Sequence, residues 1–185
     1  MGLTGVTGYH TLLYVSLGYT NPVNVTLLNT LVPVFVAVFS LVYLRTKLVP
    51  VELAGMFIAF SGVLVVLSRG SLDIFFQLQF NRGDLLMLVT IVLWAIYSMA
   101  SVRVMEALPL LTSITWSCLF GLAILLPFGL ANYWAYAPLG VSGFQYILLL
   151  FLGIGPSFLA FLGWNYGVRA VGPVISANFM YFVPV

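Results

Sequence analysis

The sequence predicts an all-α protein, a bundle of helices that crosses a lipid bilayer several times. Hydrophobic residues make up 63% of the chain and charged residues only 5%, whereas soluble domains contain about 25% charged residues. The few charges lie between long apolar runs, which is the pattern of a polytopic membrane protein. The most informative run, residues 22–44, carries no charge. As a helix it would rise roughly 35 Å, enough to cross a ~30 Å hydrocarbon core.

The composition also excludes several classes of function. Six basic residues are too few and too dispersed to follow a phosphate backbone, so no nucleic-acid partner is predicted. Cys118 is the only cysteine, and the sequence contains no metal-binding, phosphate-binding or hydrolase motif. We therefore expect no metal, no cofactor and no enzymatic activity. The expected partners are the lipid bilayer and a small-molecule substrate, and self-association stays open.

Three apolar segments occupy residues 1–68. The first covers about 2–20 and has glycines at positions 2, 5 and 8, a spacing that lets helix backbones approach closely in a membrane. The second is 22–44. The third runs from Pro50 to about Leu67, and Glu52 suits its first turn. These segments form one predicted module.

Residues 69–83 form the longest polar connection and are predicted to be an extracytoplasmic linker. Residues 84–185 then form a second, truncated module, in which Asp84 is a good N-cap for the first helix. The helices of this module are predicted at about 84–102, 109–130, 144–166 and 172–185. The chain therefore holds seven segments, of which the last is unfinished.

The basic residues of alternate connections predict the topology. Four of them, Arg45, Lys47, Arg103 and Arg169, fall on one side of the membrane, against Arg69 and Arg82 on the other. The positive-inside rule places the side with four in the cytoplasm. Residue 1 then lies on the cytoplasmic side, in a multi-pass protein of the cell membrane.

The second segment is repeated 151 residues later. Pro22-Val23 and Val32-Pro33-Val34 return with identical spacing as Pro173-Val174 and Val183-Pro184-Val185, which predicts an internal repeat. Moving from one copy to the other crosses five helices, an odd number, so the second copy should lie upside down in the membrane. Inverted repeats recur in secondary transporters, where two equivalent halves expose a midplane site alternately. A five-helix repeat implies about ten helices in the whole protein.

The order of several short motifs resembles a known family. Residues 17–22 (LGYTNP), 31–37 (LVPVFVA), 53–55 (LAG) and 61–64 (SGVL) are similar to the second part of an EamA-type module. Residues 82–86 (RGDLL) and 93–97 (LWAIY) resemble the opening of a second module. The chain is thus identified as a member of the drug/metabolite transporter superfamily, over essentially its whole length. The resemblance implies two inverted five-helix modules and export of metabolites such as amino acids across the bacterial inner membrane.

The chain departs from the family pattern in two ways. Residues 44–47 (LRTK) stand where a Gly-Glu-Arg type sequence commonly follows the fourth helix. The segments match helices three to nine, so helices one, two and ten are missing. We therefore expect a fragment that is incomplete for transport.

Polar and aromatic groups within apolar segments are the candidate substrate contacts. Thr26, Asn29 and Thr30 share one face of the second segment, where an amide and two hydroxyls converge beside Pro33. The full set is His10, Tyr14, Thr26, Asn29, Thr30, Trp94, Tyr97, Asn178 and Tyr181. For each, an alternative stays open, in which the polar group bonds a neighbouring helix or the ring packs in the core.

Two further predictions concern prolines and aromatic residues. Pro33 and Pro184 are expected hinge points, because a proline frees the backbone carbonyl one turn earlier. Trp164, Asn165 and Tyr166 lie near a predicted membrane boundary, so an aromatic belt is favoured there.

The predicted function is a secondary transporter that exports small neutral or zwitterionic organic metabolites by alternating access. No segment carries an acid or base near its middle, which favours an uncharged or zwitterionic substrate. Two alternatives remain: a non-transporting membrane scaffold or interaction protein, and a translocator of lipid-linked intermediates.

Overall fold

The computed structural model of the chain describes residues 1–46, 49–67, 81–136 and 142–182, which form helices and short connections without a strand. Seven helical segments, α1 to α7, follow one another in these residues. Segment α1 joins a π-helical stretch, Gly2–Gly8, to an α-helix, Tyr9–Leu17. The next five are α2 Pro22–Leu44, α3 Pro50–Leu67, α4 Arg82–Ala107, α5 Leu110–Tyr136 and α6 Gly143–Val171. Segment α7 is α-helical over Pro173–Asn178 and 3₁₀-helical over Phe179–Phe182.

Four of the described helices are long and apolar enough to cross a membrane. They are α2, α4, the Leu110–Ala131 part of α5, and α6. The apolar stretch of α3, Pro50–Gly62, is shorter. These helices confirm the predicted all-α, polytopic transmembrane bundle.

Helix α4 lies at the centre of the bundle and contacts α1, α2, α5, α6 and α7. A capping box holds its start: the Asn81 side chain accepts from the Asp84 backbone N–H, and the Asp84 carboxylate accepts from the Asn81 N–H. Thr20, just after α1, donates to the same carboxylate at 2.6 Å. Asp84 therefore occupies the third helical position and not the predicted N-cap, because the helix begins earlier, at Arg82.

The glycines of α1 allow close helix packing, which confirms that prediction. A Cβ on Gly2 would lie 2.7 Å from the Ser117 carbonyl oxygen of α5. A Cβ on Gly5 would overlap the Tyr97 ring of α4, and one on Gly8 would meet Leu93 of the same helix. Helix α1 thus packs directly against α4 and α5.

Helix α2 is interrupted ahead of Pro33. Thr30 and Leu31 donate their N–H groups to the carbonyls of Leu27 and Leu28, three residues back instead of four. Pro33 has no N–H, so the Asn29 carbonyl lacks its α-helical donor. The interruption thus lies where the proline predicts it.

Segment α7 changes in the same way. It begins with Pro173, as α2 begins with Pro22, and becomes 3₁₀-helical after Asn178. The second predicted hinge, Pro184, lies outside the described residues. The described parts of the two predicted repeat copies are also in contact, because α7 packs against the 32–39 half of α2.

The first part of α6, Gly143–Leu152, is exposed along its entire length. It presents large apolar side chains such as Phe144, Ile147 and Phe151, each more than 60% exposed. In a multi-pass membrane protein such a surface faces lipid or another helix. The second part of α6, Ala160–Val171, turns Phe161, Asn165 and Val168 into the bundle.

Candidate functional site

A cavity of about 300 Å³ lies where α1, α4, α6 and α7 converge. This volume is at the lower end of the range for small-ligand pockets, about 300–1,000 Å³. We call it the aromatic cavity, because rings from three helices form much of its wall. The lining residues are Tyr9, His10, Leu13, Tyr14, Trp94, Leu152, Ser157, Ala160, Phe161, Trp164 and Met180.

Trp94 is the central ring of this wall. Its centroid lies 4.4 Å from that of Tyr9, 5.1 Å from that of Trp164 and 5.1 Å from that of Tyr97. Tilted pairs at such distances are favourable aromatic contacts. Only 6% of Trp94 is exposed, so this part of the wall is tightly packed.

Two rings of this wall carry a polar group that has no partner among the described residues. The indole nitrogens of Trp94 and Trp164 are buried, and neither has a hydrogen-bond partner among the described residues. A buried donor left unpaired costs about 1–3 kcal/mol. Neither nitrogen has accessible surface in this structure, so each can donate to a ligand only after the packed rings shift.

A buried hydrogen bond supports the wall from behind. The Tyr97 hydroxyl donates to the Asn165 side-chain oxygen at 2.7 Å, and the Asn165 side-chain nitrogen donates to the Phe161 carbonyl at 2.8 Å. Tyr97 and Asn165 are both fully buried. This bond joins α4 to α6 and fixes the rings that face the cavity, as Tyr97 also stacks on Phe161 at 5.3 Å.

Three of the predicted site residues line the aromatic cavity. They are His10, Tyr14 and Trp94. His10 lies edge-on to Tyr9, with ring centroids 5.2 Å apart. Tyr14 is 63% exposed, so it stands at the edge of the cavity.

Tyr97 is not among the lining residues, in contrast to the prediction. It is one turn from Trp94 on α4, but its ring lies beneath Trp94 and Phe161 and its hydroxyl is bonded to Asn165. It positions the wall instead of forming it.

The predicted hydroxyls of α2 are also placed elsewhere. Thr26 donates to the Pro22 carbonyl at 2.9 Å, and Thr30 donates to the Leu27 carbonyl at 2.6 Å. Both hydroxyls thus bond their own helix, and neither residue lines the aromatic cavity. Short hydroxyl side chains on a helix make such bonds readily.

The remaining predicted residues form a second group of unpartnered polar atoms. The side-chain oxygens of Asn29, Asn178 and Tyr181 are buried and lack a hydrogen-bond partner among the described residues. Asn29 lies in the first half of α2 and the other two lie in α7, which packs against the second half of α2, residues 32–39. None lines the aromatic cavity, although Met180, between Asn178 and Tyr181 in sequence, does.

Sequence reasoning missed most of the α6 contribution. Trp164 lines the cavity and Asn165 is fully buried, so the predicted aromatic belt is wrong for these two; Tyr166, 66% exposed, fits it. The spacing of Ser157, Phe161 and Trp164, at i, i+4 and i+7, was the available signal, because it puts all three on one helix face.

Comparison with known proteins adds a family and a fold. The EamA-like transporter family matches residues 1–68 and 81–185. The chain is 31% identical to the uncharacterized transporter YyaM of Bacillus subtilis (strain 168), over 100% of the chain and 61% of YyaM. It is 26% identical to the aromatic amino acid exporter YddG of Ancylobacter novellus, over 100% of the chain and 62% of YddG.

A solved crystal structure has the same fold. It superposes on 99% of the chain with a TM-score of 0.78 at 24% identity, and the match covers 62% of that structure. A probable terminal-alkyne amino-acid exporter of Streptantibioticus cattleyicolor is 24% identical, over 99% of the chain and 59% of the exporter. The chain thus spans about three-fifths of the length of these relatives.

Proposed function

Because the chain belongs to the EamA-like transporter family, we propose that it forms part of a carrier that exports small neutral or zwitterionic metabolites, foremost amino acids. Family membership confirms the resemblance, and with it the assignment to multi-pass membrane transporters and not to enzymes. We place the protein in the bacterial plasma membrane with residue 1 in the cytoplasm. The names of two relatives, an aromatic amino acid exporter and a probable terminal-alkyne amino-acid exporter, support the amino-acid class.

The proposal rests on one observation, the pair of buried, unpartnered indole N–H groups on rings that line the aromatic cavity; a shift of these rings would open the N–H groups to a substrate. A carboxylate accepts hydrogen bonds strongly, and bonds to a charged group are worth about 1.5–3 kcal/mol. The surrounding rings offer apolar surface to the rest of the substrate. The cavity therefore suits a molecule with a carboxylate at one end and a planar or apolar side chain at the other.

The unpartnered oxygens of Asn29, Asn178 and Tyr181 complement these donors. Amide and hydroxyl oxygens accept hydrogen bonds from an ammonium group. In the proposed cycle a zwitterion uses indole donors for its carboxylate and these acceptors for its ammonium. This assigns His10, Tyr14 and Trp94 to the cavity wall, and Asn29, Asn178 and Tyr181 to the adjoining polar face.

Alternating access requires an element that can change its geometry. We assign this role to α2 and α7, which contact each other and are both interrupted by i to i−3 bonding. In this proposal the two are inverted copies, belonging to modules 1–68 and 84–185, and Pro33 and Pro184 are the hinges. Inverted repeats built around broken helices support exchange between two states in secondary transporters.

A competition experiment with the chain in proteoliposomes tests the proposal. Bound ³H-phenylalanine is measured while a competitor is added: unlabelled phenylalanine, leucine, phenethylamine or 3-phenylpropionate. Phenethylamine has no carboxylate, and we expect it to compete at least tenfold more weakly than phenylalanine, because a charge-assisted bond is lost. Equal competition by phenethylamine and by unlabelled phenylalanine would remove the proposed role of the indoles.

Release of a preloaded substrate separates a carrier from a scaffold. Vesicles that hold the full-length carrier, of which the chain is proposed to form part, are loaded with ³H-phenylalanine, and loss of the label is followed after dilution. A carrier releases label faster than protein-free vesicles and saturates with substrate concentration. Release at the protein-free rate would favour the non-transporting scaffold.

A further inference from the structure

A second and larger cavity lies between the C-terminal parts of α2 and α4. Its volume is about 510 Å³, and most of its wall is apolar, including Phe39, Ile96 and Met99. Tyr43 and Arg103 also line it, and the Arg103 guanidinium is the only formal charge among the described lining residues. We call it the Arg103 groove. It shares no residue with the aromatic cavity.

Arg103 is held in place at this groove but is not neutralised. Its guanidinium carbon lies 4.3 Å from the centroid of the Tyr43 ring, a cation–π contact. One of its nitrogens donates to the Tyr43 carbonyl at 3.4 Å. No acidic side chain pairs with Arg103 in the part of the chain that the structure describes. Since a guanidinium has five N–H donors, most of them remain available to an anion.

The position of Arg103 along α4 matches the surface of a bilayer. Arg82, at the start of α4, and Arg103 lie about six turns apart, or roughly 31 Å along the axis. This separation equals the ~30 Å thickness of the hydrocarbon core. Tyr43 likewise stands at the end of the membrane-spanning stretch Pro22–Leu44. The guanidinium therefore lies at headgroup depth, and the apolar wall of the groove extends toward the acyl chains.

We propose that the Arg103 groove binds an anionic phospholipid. The phosphate accepts hydrogen bonds from Arg103, and an acyl chain lies against Phe39, Ile96 and Met99. Charge complementarity favours this occupant over an apolar helix of another protein, which would leave the guanidinium without an anion. The predicted topology agrees, because it places Arg103 on the cytoplasmic side, where anionic lipids attract basic residues near the membrane surface.

Native mass spectrometry of the detergent-purified chain tests the proposal. The chain is mixed with equal amounts of phosphatidylglycerol and phosphatidylcholine, and the ratio of retained lipids is measured. We expect the wild-type chain to favour phosphatidylglycerol roughly tenfold, as hydrogen bonds to a charged group predict. The variant Arg103→Gln should fall to a ratio near one, and Arg103→Lys should keep part of the preference.

Two further variants separate the groove from general charge effects. Arg169→Gln removes the same charge from an exposed position in the last turn of α6, and it should keep the wild-type ratio. Ile96→Trp fills the groove at a residue that is 38% exposed, so folding should tolerate it, and it should reduce retention of both lipids. Glycerol 3-phosphate, a headgroup without acyl chains, should not displace the lipid at equal concentration; displacement would identify a free-phosphate site.

The same variants define what overturns the proposal. A phosphatidylglycerol preference that survives in Arg103→Gln, or that Arg169→Gln abolishes equally, contradicts it. Photo-crosslinking from a small aliphatic diazirine side chain at position 96, in native membranes, identifies the occupant independently. A lipid adduct supports the proposal, and an adduct to a protein segment, whether of this chain or of another, refutes it.

Discussion

Two polar regions of the bundle differ in whether their hydrogen-bonding groups have partners. On α2, the hydroxyls of Thr26 and Thr30 bond carbonyls of their own helix. Around the aromatic cavity, the indole N–H groups of Trp94 and Trp164 are buried and have no partner among the described residues. A short hydroxyl side chain reaches the backbone one turn back, whereas an indole N–H lies at the end of a rigid ring and cannot. A polar residue in an apolar helix therefore indicates a binding site only if its own helix leaves it unbonded.

The largest effect should come from breaking the packing that supports the cavity. Gly5→Leu places a side chain where the Tyr97 ring lies, and overpacking of this kind costs about 1–3 kcal/mol. We expect the thermal unfolding temperature of the detergent-solubilised chain to fall accordingly. We also expect binding of phenylalanine in the aromatic cavity to be lost. Gly55→Leu on α3 is the matched control, because a Cβ there meets nothing within 4 Å. Equal losses in both variants would show that α1–α4 packing has no special role.

The cavity donors should carry the next largest effect. Trp94→Phe with Trp164→Phe keeps two rings and removes both N–H groups. At about 1.5 kcal/mol for each bond to the charged carboxylate, phenylalanine affinity should fall about 150-fold. Binding of ³H-phenylalanine to proteoliposomes measures it. A double variant that binds as tightly as the wild type would assign the substrate to another part of the bundle.

The hydrogen bond behind the wall should have a smaller effect. Asn165→Leu leaves the Tyr97 hydroxyl buried and unpaired, at a cost of about 1 kcal/mol. Tyr97→Phe removes the other partner, and the double variant should be less destabilised than the sum of the single variants. Denaturant unfolding of the wild type, the two single variants and the double variant gives the coupling free energy between Tyr97 and Asn165. Strict additivity would mean that the bond does not join α4 to α6 energetically.

The smallest effects should separate the residues of α2 from one another. Asn29→Leu removes an unpartnered oxygen, and we expect export by the full-length carrier to fall about fivefold at unchanged membrane abundance, the loss of roughly one hydrogen bond. Thr26→Val and Thr30→Val remove hydroxyls that bond their own helix, and both should stay within about twofold of the wild type. Unchanged export by Asn29→Leu would remove α2 from the site.

Much of the fold followed from the sequence because the membrane restricts the solutions. An uncharged run of 23 residues such as Pro22–Leu44 can only be a spanning or deeply buried helix. The interruption of α2 was also predictable, since Pro33 cannot donate to Asn29. The glycines of α1 predicted close helix packing, and the structure places α4 and α5 against them.

The sequence predicted less well where individual residues lie relative to the ends of their helices. The sixth segment was predicted to end at 166, which placed Trp164 and Asn165 at the membrane boundary. Helix α6 continues to Val171, so both residues lie further from its end and turn into the bundle. The hydrogen bonds of Thr26 and Thr30 to their own helix could not be predicted for another reason. Helical periodicity gives the helix face on which a side chain lies, but not its rotamer.

The most direct test observes the indole N–H groups themselves. The chain is labelled with ¹⁵N-tryptophan, and indole resonances, assigned by Trp→Phe variants, are followed by NMR as phenylalanine is added. The proposed site predicts shifts for Trp94 and Trp164 and none for Trp116, which is 55% exposed on α5. Saturable binding that leaves both cavity indoles unshifted would contradict the central claim that they hold the substrate.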